Sequence, residues 1–213
     1  MSKKDMPDSK WNRCVDALDG TVGTPSTGNK YVTEQDSRLQ GEVTVLEAAV
    51  AVSNDASLCT LLSVTVSADT LLTGTTIEVE ALGSIACASG ASLTGMWKFV
   101  YGDTIGTGTV LLTMDQAIMT SDLDTGWYLR GVFTVQEIGG GSTGTIIGNA
   151  VLLGSWATAN QVSVSKIVTA VNIDTEHDQV FGLAFIWSGA ATANSMTIQN
   201  GTIKIVKRGK LSV

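Results

Sequence analysis

Imidazole is nearly absent from this chain: His177 is the only histidine in 213 residues. A Ser-His-Asp or Cys-His relay needs an imidazole to take the nucleophile's proton. His177 lies between Glu176 and Asp178 at a polar turn, and no Ser or Cys is tied to it by a motif, so it reads as a solvated turn histidine and no catalytic residue is assigned. Proline is scarce at 2 residues, which excludes proline-rich linkers, and aromatics reach only 6% against 44% hydrophobic content. The core must therefore be built from Val, Ile, Leu and Ala, side chains suited to pleated sheets. The cysteines, Cys14, Cys59 and Cys87, are odd in number and lack metal-ligand spacing; they read as small buried hydrophobes or free thiols. No apolar run approaches the ~18 residues of a membrane span, and Lys3, Lys4, Asp5 and Asp8 interrupt any leader-like stretch. The expectation is a soluble chain made in a reducing cytosol, with no membrane partner and no cofactor.

Cations are missing from the middle of the chain. Residues 1–41, 42–203 and 204–213 carry charge balances of 0, −11 and +4, which make up the overall −7. An acidic body repels phosphate backbones, so nucleic acid is not expected on the main surface. The tail with Lys204, Lys207, Arg208 and Lys210 reads as a solvated end.

What is abundant is strand patterning punctuated by 23 glycines. Before it, residues 1–41 stand apart. Asp8-Ser9 followed by Trp11, Cys14, Val15 and Leu18, with Gly20 beyond, has the spacing of a short capped amphipathic helix. About ten residues are too few to be helical alone, so Trp11, Val15 and Leu18 need a surface to pack against and are the candidate anchoring contacts. Residues 21–41 read as an extended arm. From Glu42 the period becomes that of strands, near 42–52, 58–67, 75–82, 96–101, 108–114, 127–138, 143–153, 162–173, 179–188 and 195–206. The expected architecture is all-β: a jelly-roll-like antiparallel sandwich over residues 42–213, with a short basic tail, behind an N-terminal helix and arm over residues 1–41. Ile77, Val79 and Ala81 alternate with Glu78 and Glu80, as one buried face requires. Residues 145–153 and 180–187 are apolar on both faces, which suggests strands covered on two sides or facing another subunit.

Few motifs carry chemistry. Asp174, Glu176 and Asp178 alternate in a loop, as calcium ligands can, but without the glycine and distal glutamate of an EF-hand; a plain acidic turn is the simpler reading, and no metal site is assigned. Gly139-Gly140-Gly141-Ser142 has no Gly-Lys or helix after it and reads as a hairpin loop. Trp97 and Trp187 read as core, whereas Trp127 and Trp156 flank loops and are the candidates for an exposed glycan-stacking face.

The closing segment runs Ile173-Asp174-Thr175, Gln179-Val180, Leu183, Trp187-Ser188, then Ala193-Asn194-Ser195-Met196-Thr197-Ile198, and reads as a hairpin. It resembles the closing hairpin of jelly-roll proteins on tailed-bacteriophage virions. The resemblance implies a virion structural protein assembled in the host cytoplasm: a capsid decoration or cement protein whose partners are the major capsid protein and its own copies, as homotrimers at three-fold points of the head. A tail or head fibre component presenting loops to host glycans is the alternative, and a carbohydrate-binding module or polysaccharide-acting enzyme a further one. Apolar residues on both faces of 180–186 depart from the cleaner alternation of such hairpins.

Overall fold

The computed structural model describes residues 42–46, 48–53, 55–68, 70–87, 93–118, 125–154, 162–190 and 194–206. The predicted N-terminal helix and arm lie outside the described residues.

Eleven strands form two antiparallel sheets: β1 (Glu42–Val45), β2 (Val50–Ser53), β3 (Cys59–Val66), β4 (Thr76–Cys87), β5 (Leu93–Gly102), β6 (Thr109–Ile118), β7 (Thr125–Glu137), β8 (Gly144–Gly154), β9 (Val162–Ile173), β10 (Gln179–Trp187) and β11 (Asn194–Val206). The larger sheet has the order β1-β11-β4-β7-β8-β9, with β2 also on β11; the smaller is β3-β10-β5-β6. The pairing is nested. The first strands, β1 and β2, pair with the last, β11; β3 pairs with β10, β4 with β7 and β5 with β6. A long hairpin rolled up so that its outer pairs fall alternately in two sheets is a jelly roll. The hairpin β8-β9 is an addition between β7 and β10 that widens the larger sheet at one side.

Two expectations are corrected by this pairing. The run expected at 42–52 is two strands, interrupted where Leu46 N–H donates to Gly201 O at 2.8 Å. The closing segments are not a hairpin: β10 bonds β3 and β5 in the small sheet, and β11 bonds β1, β2 and β4 in the large one. The two strands belong to different sheets, and each is central in its own. That is why 180–186 is apolar on both faces: a central strand needs a core-facing side, and the other side of β10 is covered too. Ala184 packs there with Val100 and Ile105, joined by Leu58 and Val180, under the loop that follows β5.

The core divides unevenly between the layers. Its bulk comes from the small sheet, where Trp97, Phe99, Phe181 and Phe185 are fully buried and Trp187 is 1% exposed. Opposite them the large sheet offers mainly Ile77, Val79, Ala81, Ile85, Ile146, Ala150, Met196, Ile198, Ile203 and Ile205. Ring contacts cross the gap: Phe133 on β7 lies 4.8 Å from Phe99 and 5.6 Å from Phe181, and Trp127 lies 5.6 Å from Trp97. These tilted geometries suit aromatic quadrupoles. Glycine makes the room, since a Cβ on Gly148 would stand 2.5 Å from Phe133 Cδ1 and one on Gly131 2.8 Å from Phe99 Cε1.

Strand β4 continues to Cys87, beyond the expected stop at 82, because Gly83 is a packing residue and not a breaker. A Cβ there would fall 1.8 Å from the backbone oxygen of Thr197, beside the β11 irregularity between Ile198 and Asn200. Gly83→Ala is therefore expected to separate β4 from β11 and cost at least ~2 kcal/mol, the range of overpacking. Urea unfolding checks this; a midpoint equal to wild type would mean that the bulge absorbs a methyl group freely.

Candidate functional site

Strand direction sorts the loops into two ends. The loops that follow β3, β5, β7 and β9 share one end, and β2, β4, β6, β8 and β10 all stop at the other. The body is also entered and left at the first end, because Glu42 is registered against Ile205, one residue before β11 stops.

At this end the turn after β9 laces its neighbours together. Asp174 Oδ1 accepts from Glu176 N–H at 2.9 Å, and its Oδ2 meets His177 Nδ1 at 2.8 Å. The backbone N–H groups of Glu176 and Gly141 and the His177 ring hold the Asp174 carboxyl well below the usual carboxylate range, at about 2. Tyr101 OH donates to Asp174 O at 2.8 Å, and burial pushes that phenol upward, so it remains a donor. Thr175 is buried and exchanges bonds with Gly139: its N–H donates to Gly139 O at 3.0 Å and its Oγ1 accepts from Gly139 N–H at 2.9 Å. Asp178 Oδ1 accepts from Ala68 N–H at 2.7 Å, which ties in the loop after β3.

The three acids of the turn thus serve different neighbours. Asp174 holds its own turn and Gly141, Glu176 lies over Gly140, and Asp178 holds Ala68. Among the described residues no group of three His, Cys, Asp or Glu side chains could hold a metal. His177 is 71% exposed on its side chain, as a turn histidine should be, but its partner is Asp174 and not the adjacent acids.

Between these loops lies a polar cleft of about 250 Å³, lined by Asp103, Thr107, Ser142, Asn172, Asp174 and Gln179 among others. Gln179, only 6% exposed, donates from Nε2 to Asp103 Oδ1 at 3.1 Å. Ser142 has a φ of 105°, a left-handed conformation costly for a residue with a Cβ. Two carboxylates border the cleft, yet glycoside hydrolysis needs one carboxyl raised so that it can donate a proton. Asp174 is shifted the opposite way and is ionised throughout the neutral range.

Trp127 is corrected. It is 3% exposed, sits in the ring cluster, and donates Nε1–H to Ser84 O at 3.2 Å, so it is no glycan platform. It faces inward because Thr125, Trp127 and Leu129 share the buried parity of β7. Trp97 and Trp187 are core, as expected; Cys87 is buried and Cys59 half-buried. Trp11, Val15 and Leu18, together with Cys14 and Trp156, lie outside the described residues. No described helix is long and apolar enough to cross a membrane. The cleft itself had no signal in the sequence, since its lining comes from three separate stretches, 101–109, 141–142 and 172–179.

No family model matches the chain, and no curated protein does. Among solved structures it is similar to the infectious bursal disease virus VP2 subviral particle, at 11% identity over 78% of this chain and 41% of that one, with a TM-score of 0.21. The structures of the Gx and Gt strains of that virus follow, at 14% and 12% identity over 78% and 81% of this chain and 42% of each of theirs, both with TM-scores of 0.20. The chain spans about two-fifths of those chains. At such scores the likeness carries no argument, and the fold rests on the strand pairing given above.

The laced turn gives a pH signature. Asp174 has a folded pKa below its unfolded ~3.9, so its contribution to stability is complete above about pH 4 and is lost as pH falls toward about 2. His177 is raised by Asp174, so its contribution is complete below about 6.5 and is lost as pH rises through the folded value. Asp174→Asn should therefore melt below wild type at about pH 6 and converge with it near pH 2. His177→Ala should melt below wild type at about pH 5 and match it at about pH 9. Melting curves across that range test both, and differences independent of pH would contradict the lacing.

Proposed function

We propose that this chain is a structural component of a virion, a decoration or cement protein that binds the outside of an assembled phage head and stabilises it. The observation that carries the reading is the polarity of the body. Residues 1–41 join it at Glu42 and residues 207–213 leave it after Val206, and register puts both junctions at one end of the roll. In this reading the anchoring segment with Trp11, Val15 and Leu18 and the tail with Lys207, Arg208 and Lys210 act on the shell from those junctions. Residues 1–41 would act on the major capsid protein by burying apolar surface that only the assembled shell offers, which stabilises the shell by mass action. The resemblance of the closing strands to phage virion proteins supports the same reading and adds a homotrimer at three-fold points. The acidic body keeps the protein off the packaged nucleic acid.

A fibre or receptor-binding role is the second reading, and the cleft favours it: hydroxyl, amide and carboxylate groups of Thr107, Ser142, Asn172, Gln179 and Asp103 suit a hydroxyl-rich ligand. A glycan-binding response that is lost on Asn172→Ala would move the assignment there.

Deleting residues 1–41 is expected to abolish co-sedimentation with head shells while circular dichroism shows an intact β body. Truncated protein that still decorates shells fully would remove the anchoring role of Trp11, Val15 and Leu18.

A further inference from the structure

The cleft at the laced end is lined by groups whose hydrogen-bonding capacity the fold does not use up. Gln179 lines it while only 6% exposed, and a buried amide needs partners for both of its ends. Its Nε2 donates to Asp103 Oδ1 at 3.1 Å. A carboxylate only accepts, so this bond fixes which way the amide is turned and leaves Gln179 Oε1 an acceptor without a partner among the described residues. Asp103 is exposed and keeps its second oxygen uncommitted. Asp174, the other acid of the lining, differs: its oxygens are taken up by Glu176 N–H and His177 Nδ1. We propose that the cleft binds a hydroxyl-rich small molecule carrying a protonated amine, the chemistry of an amino sugar. Its ammonium would sit on the Asp103–Gln179 pair and its hydroxyls on Ser142 and Asn172.

Donor count, charge and size select that class. An ammonium brings three donors and no acceptor, which complements the uncommitted oxygens of Asp103 and Gln179. A neutral ligand that displaced water from Asp103 would leave a carboxylate without a counter-charge, the more costly way to desolvate it. The field points the same way. Asp103, Asp174, Glu176 and Asp178 stand in the described loops after β5 and β9, and the described loops at this end hold no Lys or Arg. His177, the neighbouring imidazole, is held by Asp174. Carboxylated and phosphorylated sugars are therefore repelled and cations attracted. At about 250 Å³ the cleft lies just under the ~300–1,000 Å³ of drug-sized sites, which suits a ligand of about one sugar ring. The remaining lining, with Ser142, Asn172 and Thr109, supplies the hydroxyl and amide groups that such a ring needs around it.

This assignment rests on the second reading of the function, in which the cleft takes a hydroxyl-rich ligand, and not on attachment to a shell. Ligand-observed NMR titrations of the full chain at about pH 6, where a sugar amine is protonated, are expected to show glucosamine binding. N-acetylglucosamine, the same ring without the charge, should bind about tenfold more weakly or worse. Raising salt from about 0.01 M to about 0.3 M should weaken glucosamine as well. Asp103→Asn alters an exposed side chain and keeps an acceptor for Gln179, so it should melt as wild type while weakening glucosamine by about the same tenfold. Equal binding of the two sugars, or glucosamine binding unmoved by Asp103→Asn, overturns the charge recognition and leaves the hydroxyl-rich reading in place. Putrescine, a diamine without hydroxyls, binding as tightly as glucosamine overturns the sugar assignment. No response to glucosamine, N-acetylglucosamine or glucose removes both this site and the second reading. The comparisons among ligands use wild-type protein and decide the matter even where the variant fails to fold.

Discussion

The contact between large rings on one sheet and small side chains on the other is the constraint from which the rest of this molecule follows. A chain with 6% aromatics has few residues able to fill the space between two sheets ~10 Å apart. It spends all four phenylalanines there, Phe99, Phe133, Phe181 and Phe185, each at zero exposure. Three of the four stand on β5 and β10, the central pair of the small sheet, so the opposing sheet must be flat and shallow beneath them. Hence Gly131 and Gly148 lie where methyl groups would strike Phe99 and Phe133. The division also explains why the small sheet needs only four strands while the large one spreads to six and more.

That spread has consequences at the margins. With β8 and β9 added, the large sheet extends past the small one, and its edge turns toward β6, where Lys166 of β9 pairs with Asp115. An inward-pointing lysine on an edge strand is a device against uncontrolled strand addition. The edge strand β9 is thereby guarded.

Much of the fold was legible because strand period is a local signal: β7, β8, β9 and β11 fall within a few residues of their expected bounds. Where the reading failed, the cause was non-local. Gly83 looks like a breaker until Thr197 is placed against it; Trp127 looks like a loop residue until β7 is seen to begin before it; and β10 and β11 look like a hairpin until each finds better partners 78 to 163 residues away. The apolar doubling of 145–153 and 180–187 was visible, but sequence could not say that the second is covered by Ile105 and Leu58. The cleft was invisible for the same reason, since nesting alone brings Asp103, Ser142 and Gln179 together.

Nesting also fixes where the chain enters and leaves the body. In a rolled hairpin the first and last strands are neighbours, so whatever precedes β1 and follows β11 emerges at one place regardless of chain length between them. A load applied to residues before Glu42 is passed through the β1–β11 ladder directly to β4 and β7, the centre of the large sheet, along hydrogen bonds that must shear together. The acidic turn at the same end does the complementary work: Asp174, Thr175 and Asp178 bind three loops into a rigid rim without spending hydrophobic surface. The first and last strands therefore meet at the end that this acidic turn laces together.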